Sequence, residues 1–272
     1  MRTWSALGLV ARHEVRRAIR DRTALVSAAI LWSLLATSVG LGWQRHTAEG
    51  AARAAQQALV DRQWDEQPDR HPHRVAHYGT FAVRPNSALG FFDPGLDPAF
   101  GTTIFLEAHR RNTSTFSEAG QASELVRFGI GSPATVLQLV IPLLLFCLGF
   151  ASVAGERASG SWRQLLSQGI DPRTALAGKV LGISAVVAII VAPFAFAAVI
   201  IGTVTGVLDL SATGLARLAL LFGSYATYII VCAALAILIS AWQTSLRSAL
   251  ATSLAVWIAL WVVVPRAAAE LA

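Results

Sequence analysis

Of 272 residues, 54% are hydrophobic and only 14% charged, and the mean hydropathy is +0.55. Soluble domains carry about 25% charged residues, so the composition excludes an ordinary soluble fold and indicates a membrane class. The formal net charge of +6 raises nucleic acid as a partner, but its placement excludes that reading. The basic residues sit in short segments flanking apolar runs, which is a topology signal.

In chain order, residues 1–22 read as a helix lying on the membrane surface. Trp4, Leu7, Ala11, Val15 and Ala18 recur at helical spacing, and Arg12, Arg16, Arg17 and Arg20 supply a basic face. The plainer alternative is a solvated extension of the first span. That span, 23–42, is longer than a signal-peptide core, and no small-residue cleavage site precedes a soluble protein, so it is expected to be retained.

Residues 43–132 form a loop long enough to be a small outer domain. An Ala-rich helix over 47–67 is expected to continue the first span. The stretch 71–101 is rich in Pro, Gly and aromatics, with a short strand expected at 80–83. Helices are expected over 104–111 and 124–130. His71, His73 and His77 lie close together, with His109 further on. An H-x-H pair in an extended segment places both rings on one face, as zinc or copper would need. No acidic or cysteine ligand stands at a diagnostic spacing, so the loop reads as a polar turn cluster. No metal site is assigned; His71, His73 and His77 are the candidates that the loop offers.

Four further apolar runs, 133–154, 180–204, 218–240 and 245–264, reach the ~20 residues a span requires. With the N-terminus inside, the basic segments 1–22, 155–179 and the turn holding Arg247 all fall on the cytoplasmic side. The tail 265–272 then lies outside. Cys147 and Cys232 fall within spans, so no disulfide framework is expected. Pro142 and Pro193 interrupt two spans and free carbonyls there. Gly182, Gly202 and Gly206 suit close helix contact. No ionisable residue is central in a span, which speaks against an ion-coupled carrier.

The polar insert 155–179 carries the most information. Ser161 and Gln164 have capping-box spacing, and Trp162, Leu165 and Leu166 then share a face with Arg163, Gln164, Ser167 and Gln168 around the rest. Gly169 is a natural stop, and Asp171-Pro172 restarts a helix as N-cap and first-turn proline. So short a helix does not persist alone in water and must dock its apolar face. Either a partner covers the polar face or the helix simply re-enters the interface. Gly178-Lys179 is not a nucleotide loop: Arg173 occupies the required upstream Gly, and Val180 follows the lysine.

The run GERASGSWRQLLS from Gly155, followed by DPR and ALAGK and another span, resembles the type-2 (export-type) ABC transporter permeases. The outer motifs AHYG at 76–79, FFDPGLDP at 91–98 and LEAHRRN at 106–112 look like a bacterial subfamily with a large outer domain after the first span. The resemblance implies an all-α polytopic membrane protein of the bacterial inner membrane. It implies a permease that is not itself an enzyme and holds no cofactor. ATP and Mg would be bound by a separate ATP-binding subunit, and a second permease copy or relative would pair with this one. It also implies a short coupling helix contacting the ATPase, with Glu156, Gly160, Leu165, Leu166 and Lys179 at the matching positions. Glu156 and Arg157 would anchor that helix, Trp162, Leu165 and Leu166 would pack its inner face, and Arg163 with Gln164 or Gln168 would meet the ATPase. Such permeases usually have six spans, so a sequence ending after the fifth is expected to lack the last one. The rival readings are a membrane-anchored metal-dependent hydrolase using the outer histidines, and a non-transporting membrane anchor.

Overall fold

The computed structural model describes residues 3–116 and 132–271. The helix expected over 124–130 lies outside the described residues. In order come α1 (Thr3–Arg20), α2 (Thr23–Asp65), α3 (Pro72–Tyr78), β1 (Thr80–Val83) and β2 (Thr103–Leu106). They are followed by α4 (Pro133–Ser159), α5 (Ser161–Ser167), α6 (Pro172–Val204), α7 (Ala212–Trp242) and α8 (Leu246–Trp257). A π-helical stretch, Ile258–Val263, joins α8 to α9 (Val264–Leu271). Among the described residues five helical runs are long and apolar enough to cross a bilayer: α2, α4, α6, α7 and the run beginning at Leu246. The chain is an all-α polytopic membrane protein.

The residues fall into two compact units. The first comprises α1, the start of α2, most of α4, and α5 to α9. Its helices meet through small side chains, as expected where lipid removes the hydrophobic drive and close backbone approach must supply the attraction. A Cβ added at Gly149 of α4 would stand 2.9 Å from Ala236 Cβ of α7. One turn along, the fully buried Ser240 Oγ donates to Phe150 O at 2.7 Å. The same oxygen accepts from Val153 N and Ala154 N at 3.0 and 3.1 Å.

Pro142 lacks the N–H that Gln138 O would accept within α4. The Tyr228 hydroxyl donates to that carbonyl at 2.6 Å, and Trp261 on the π-helical stretch donates to Tyr228 Oη at 2.5 Å. Trp257 Nε1 reaches Leu139 O at 3.0 Å. The broken ladder is thus re-satisfied by side chains of α7 and the last span. Between α6 and α7, Asp209 accepts from Ser211 N and from the Ser211 hydroxyl, which hold its carboxyl below the usual carboxylate range.

The second unit contains the rest of α2, α3, the hairpin and the start of α4. Val83 N donates to Gln57 Oε1 at 3.1 Å, and Asn86 Nδ2 donates to His46 O at 2.9 Å, tying the loop to α2. Phe91, 1% exposed, packs edge-on against Trp43 at 5.5 Å. β1 and β2 pair antiparallel from Thr80 with Leu106 to Val83 with Thr103. The helix expected over 104–111 is therefore a strand and a turn. The strand residues Thr103, Ile104 and Phe105 are β-branched or aromatic, and β1 gives them a partner. Asn112 Nδ2 closes the turn by donating to Phe105 O at 3.0 Å and Glu107 Oε1 at 3.1 Å.

Candidate coupling site

The segment between α4 and α6 is built by glycines and one aspartate. Gly160 adopts a left-handed φ of 80° and ends α4. The capping box expected from Ser161 and Gln164 does not form. Gly160 itself is the N-cap, and its carbonyl accepts from Arg163 N at 3.1 Å and Gln164 N at 3.3 Å. Ser161 is already inside the first turn, and its hydroxyl turns back to Ser159 Oγ at 2.8 Å. At the other end Gly169, φ 79°, donates its N–H to Leu166 O at 3.0 Å. Asp171 then caps α6, accepting from Arg173 N and Thr174 N at 3.0 and 3.2 Å.

On α5, Trp162 is buried, Leu165 and Leu166 are half-buried, and Arg163, Gln164, Ser167 and Gln168 are exposed. The amphipathic division read from the sequence is present. Arg157 is exposed, and its Nη1 donates to Ala241 O at 2.5 Å in the last turn of α7, where the carbonyls lack helical donors.

Glu156 and Lys179 come together with a residue the sequence reading passed over. Lys179 Nζ donates to Glu156 Oε1 at 2.6 Å and to Glu14 Oε1 of α1 at 2.5 Å. The Lys179 and Glu14 side chains are 1% and 3% exposed, and that of Glu156 16%. Ser152 Oγ donates to the same Glu14 oxygen at 3.2 Å. One ammonium therefore joins α1, α4 and α6. Glu156 Oε2 is buried without a partner among the described residues.

The approach of α1 to α6 is set by Gly178 and Gly182. A Cβ at Gly178 would lie 2.7 Å from Val10 Cβ, and one at Gly182 would lie 2.6 Å from Glu14 Cβ. The buried stripe of α1 is Ala6, Val10, Glu14 and Ala18. Of the expected stripe, Ala18 is buried while Leu7, Ala11 and Val15 are half-buried, so the buried face is shifted by one residue toward the glutamate. The signal was a lone acid spaced i, i+4 between Val10 and Ala18.

An open groove of about 750 Å³ lies over this cluster, lined by Leu9, His13 and Arg17 of α1, Glu156 of α4, and Gln164 of α5 with its C-cap Gln168, among others. His13, Glu14 and Glu156 offer ligand atoms within 4.8 Å of one another. Lys179 Nζ already lies between the two carboxylates, so a metal ion would have to displace the ammonium.

These features define a multi-pass helical membrane protein with an amphipathic connector between spans. A family model for ABC-2 family transporter proteins matches residues 9–272, and the chain belongs to that family. It is a membrane permease subunit of an ABC transporter, a transport rather than catalytic component, in a family that associates with an ABC ATP-binding subunit. No curated protein matches the chain.

Proposed function

We propose that the chain is the permease half of an ATP-driven exporter, that α5 is its coupling helix, and that the groove beside α5 receives the ATP-binding subunit. The observation that carries this reading is the exposed row Arg163, Gln164, Ser167 and Gln168 on a helix anchored underneath by Trp162. Isolated, a seven-residue helix is marginal; here the buried Trp162 anchors it, and the glycines at both ends allow the turns that set it between α4 and α6. Arg163 supplies a charge for an acidic patch on the partner. The N-terminus is cytoplasmic in a bacterial inner membrane, and two permease subunits face each other across the transport path.

Force on α5 passes through Gly160 to α4 and through Gly169 to α6, and the Glu14–Lys179–Glu156 cluster carries α1 with them. The ATPase closes and opens the pair by binding and hydrolysing ATP. The reading is tested by expressing tagged full-length chain with its ATP-binding partner and solubilising the membranes. Arg163→Glu is expected to lose most of the co-purifying ATPase while leaving the amount of membrane-inserted permease unchanged. Full retention of the ATPase by this variant would remove α5 from the interface.

A further inference from the structure

We propose that His73, His77 and His109 form a binding site for a divalent late first-row transition metal, with zinc as its simplest occupant. His73 and His77 lie at i and i+4 on α3, one above the other on its surface. Their Nε2 atoms are 3.3 Å apart and their ring centroids 4.8 Å apart. Two imidazoles bound to a tetrahedral metal at 2.0–2.1 Å place their nitrogens about 3.3 Å from each other, so the pair already has the bite of a chelate. The third ring stands beside this pair on the hairpin: His109 follows β2 and lies 5.4 Å from His77, centroid to centroid, and its ring has to turn to bring a nitrogen into ligation range of the other two. Its backbone is left-handed, φ 67°, an uncommon conformation for a residue with a side chain.

Imidazole-only donor sets suit zinc, copper and nickel, and three of them leave a fourth position open. All three rings are exposed, so an ion can enter without unfolding the domain. Two of the neighbouring guanidinium groups are engaged elsewhere. Arg70 stacks 4.3 Å above the Tyr78 ring, and Arg110 pairs with Glu107 at 3.8 Å. His71 is not in the set. It is the N-cap of α3, its Nδ1 accepting from His73 N at 3.3 Å, and so it fixes the start of the helix that carries the chelating pair.

The test uses the purified full chain, stripped with chelator and dialysed against micromolar zinc with a competing chelator. One zinc per chain is expected. His73→Ala, His77→Ala and His109→Ala should each weaken binding by roughly 10- to 100-fold, while His13→Ala stays within about twofold of the parent. His13→Ala separates this site from the His13–Glu14–Glu156 grouping. Circular dichroism checks that the substituted chains fold, and the visible spectrum of the cobalt-loaded protein reports tetrahedral coordination. The proposal is overturned if the parent chain holds no zinc, if zinc is undiminished in any of the three variants, or if His13→Ala abolishes binding.

Discussion

Lys179 holds two carboxylates from different helices, and the balance of charge decides which of the three residues matters most. With Lys179→Met, Glu14 and Glu156 face each other without a counter-ion in a buried site. Breaking a buried ion pair from one side costs about 3–5 kcal/mol. Glu14→Gln leaves the Lys179–Glu156 pair neutral and still hydrogen-bonded, with an expected loss of about 1–3 kcal/mol. Thermal unfolding in detergent should therefore rank Lys179→Met well below Glu14→Gln, and the reverse order would show that the ammonium is dispensable. Two of these three residues were legible from the sequence. Glu156 and Lys179 stand at the ends of a polar insert that any hydropathy reading isolates. Glu14 was hidden because it sits among the arginines of an apparently basic face. Only the tertiary partner, a lysine 165 positions away in sequence, explains an acid on the buried stripe.

At the scale of elements, the surface helix α1 is held less by its arginines than by the absence of side chains opposite it. Gly182→Ala would place a methyl group 2.6 Å from Glu14 Cβ and 2.8 Å from Ala11 O, so α1 must move outward. Overpacking of this kind costs about 1–3 kcal/mol and should separate Glu14 from Lys179. Hydrogen exchange across α1 should rise in Gly182→Ala and in Gly178→Ala. Gly8→Ala is the control, because nothing lies within 4 Å of its added Cβ; equal exchange in all three would deny the close-packed seam. Helix limits were readable here because the apolar runs are long and Asp171-Pro172 and Gly169 punctuate them by strong local chemistry. The Ser161 capping box and the helix over 104–111 failed for a shared reason. In each case a competing backbone partner, Gly160 O or strand β1, outbid a local preference that sequence shows and pairing overrides.

At the scale of the molecule, the five spans and the all-α class follow from composition, because a bilayer leaves a helix few ways to satisfy its backbone. Which spans touch is not written in hydropathy. It depends on single small residues such as Gly149 and Ser240, and on the Tyr228 hydroxyl that answers Pro142. The sequence uses arginine almost everywhere for positive charge, and Lys179 is its one lysine. A compact ammonium fits between two carboxylates where a planar fork does not. A protease specific for lysine thus has one peptide bond to cut in the whole chain, and that bond lies under α1. In the resting subunit the bond should resist the enzyme. If α1 lifts and the first turns of α6 unwind as the groove opens, a single cleavage, yielding two fragments divided after residue 179, would appear at a rate set by that opening. The buried lysine is in effect a built-in clock for that motion. An intact chain under turnover, beside rapid cutting of Gly182→Ala, would mean that α1 stays seated throughout the cycle.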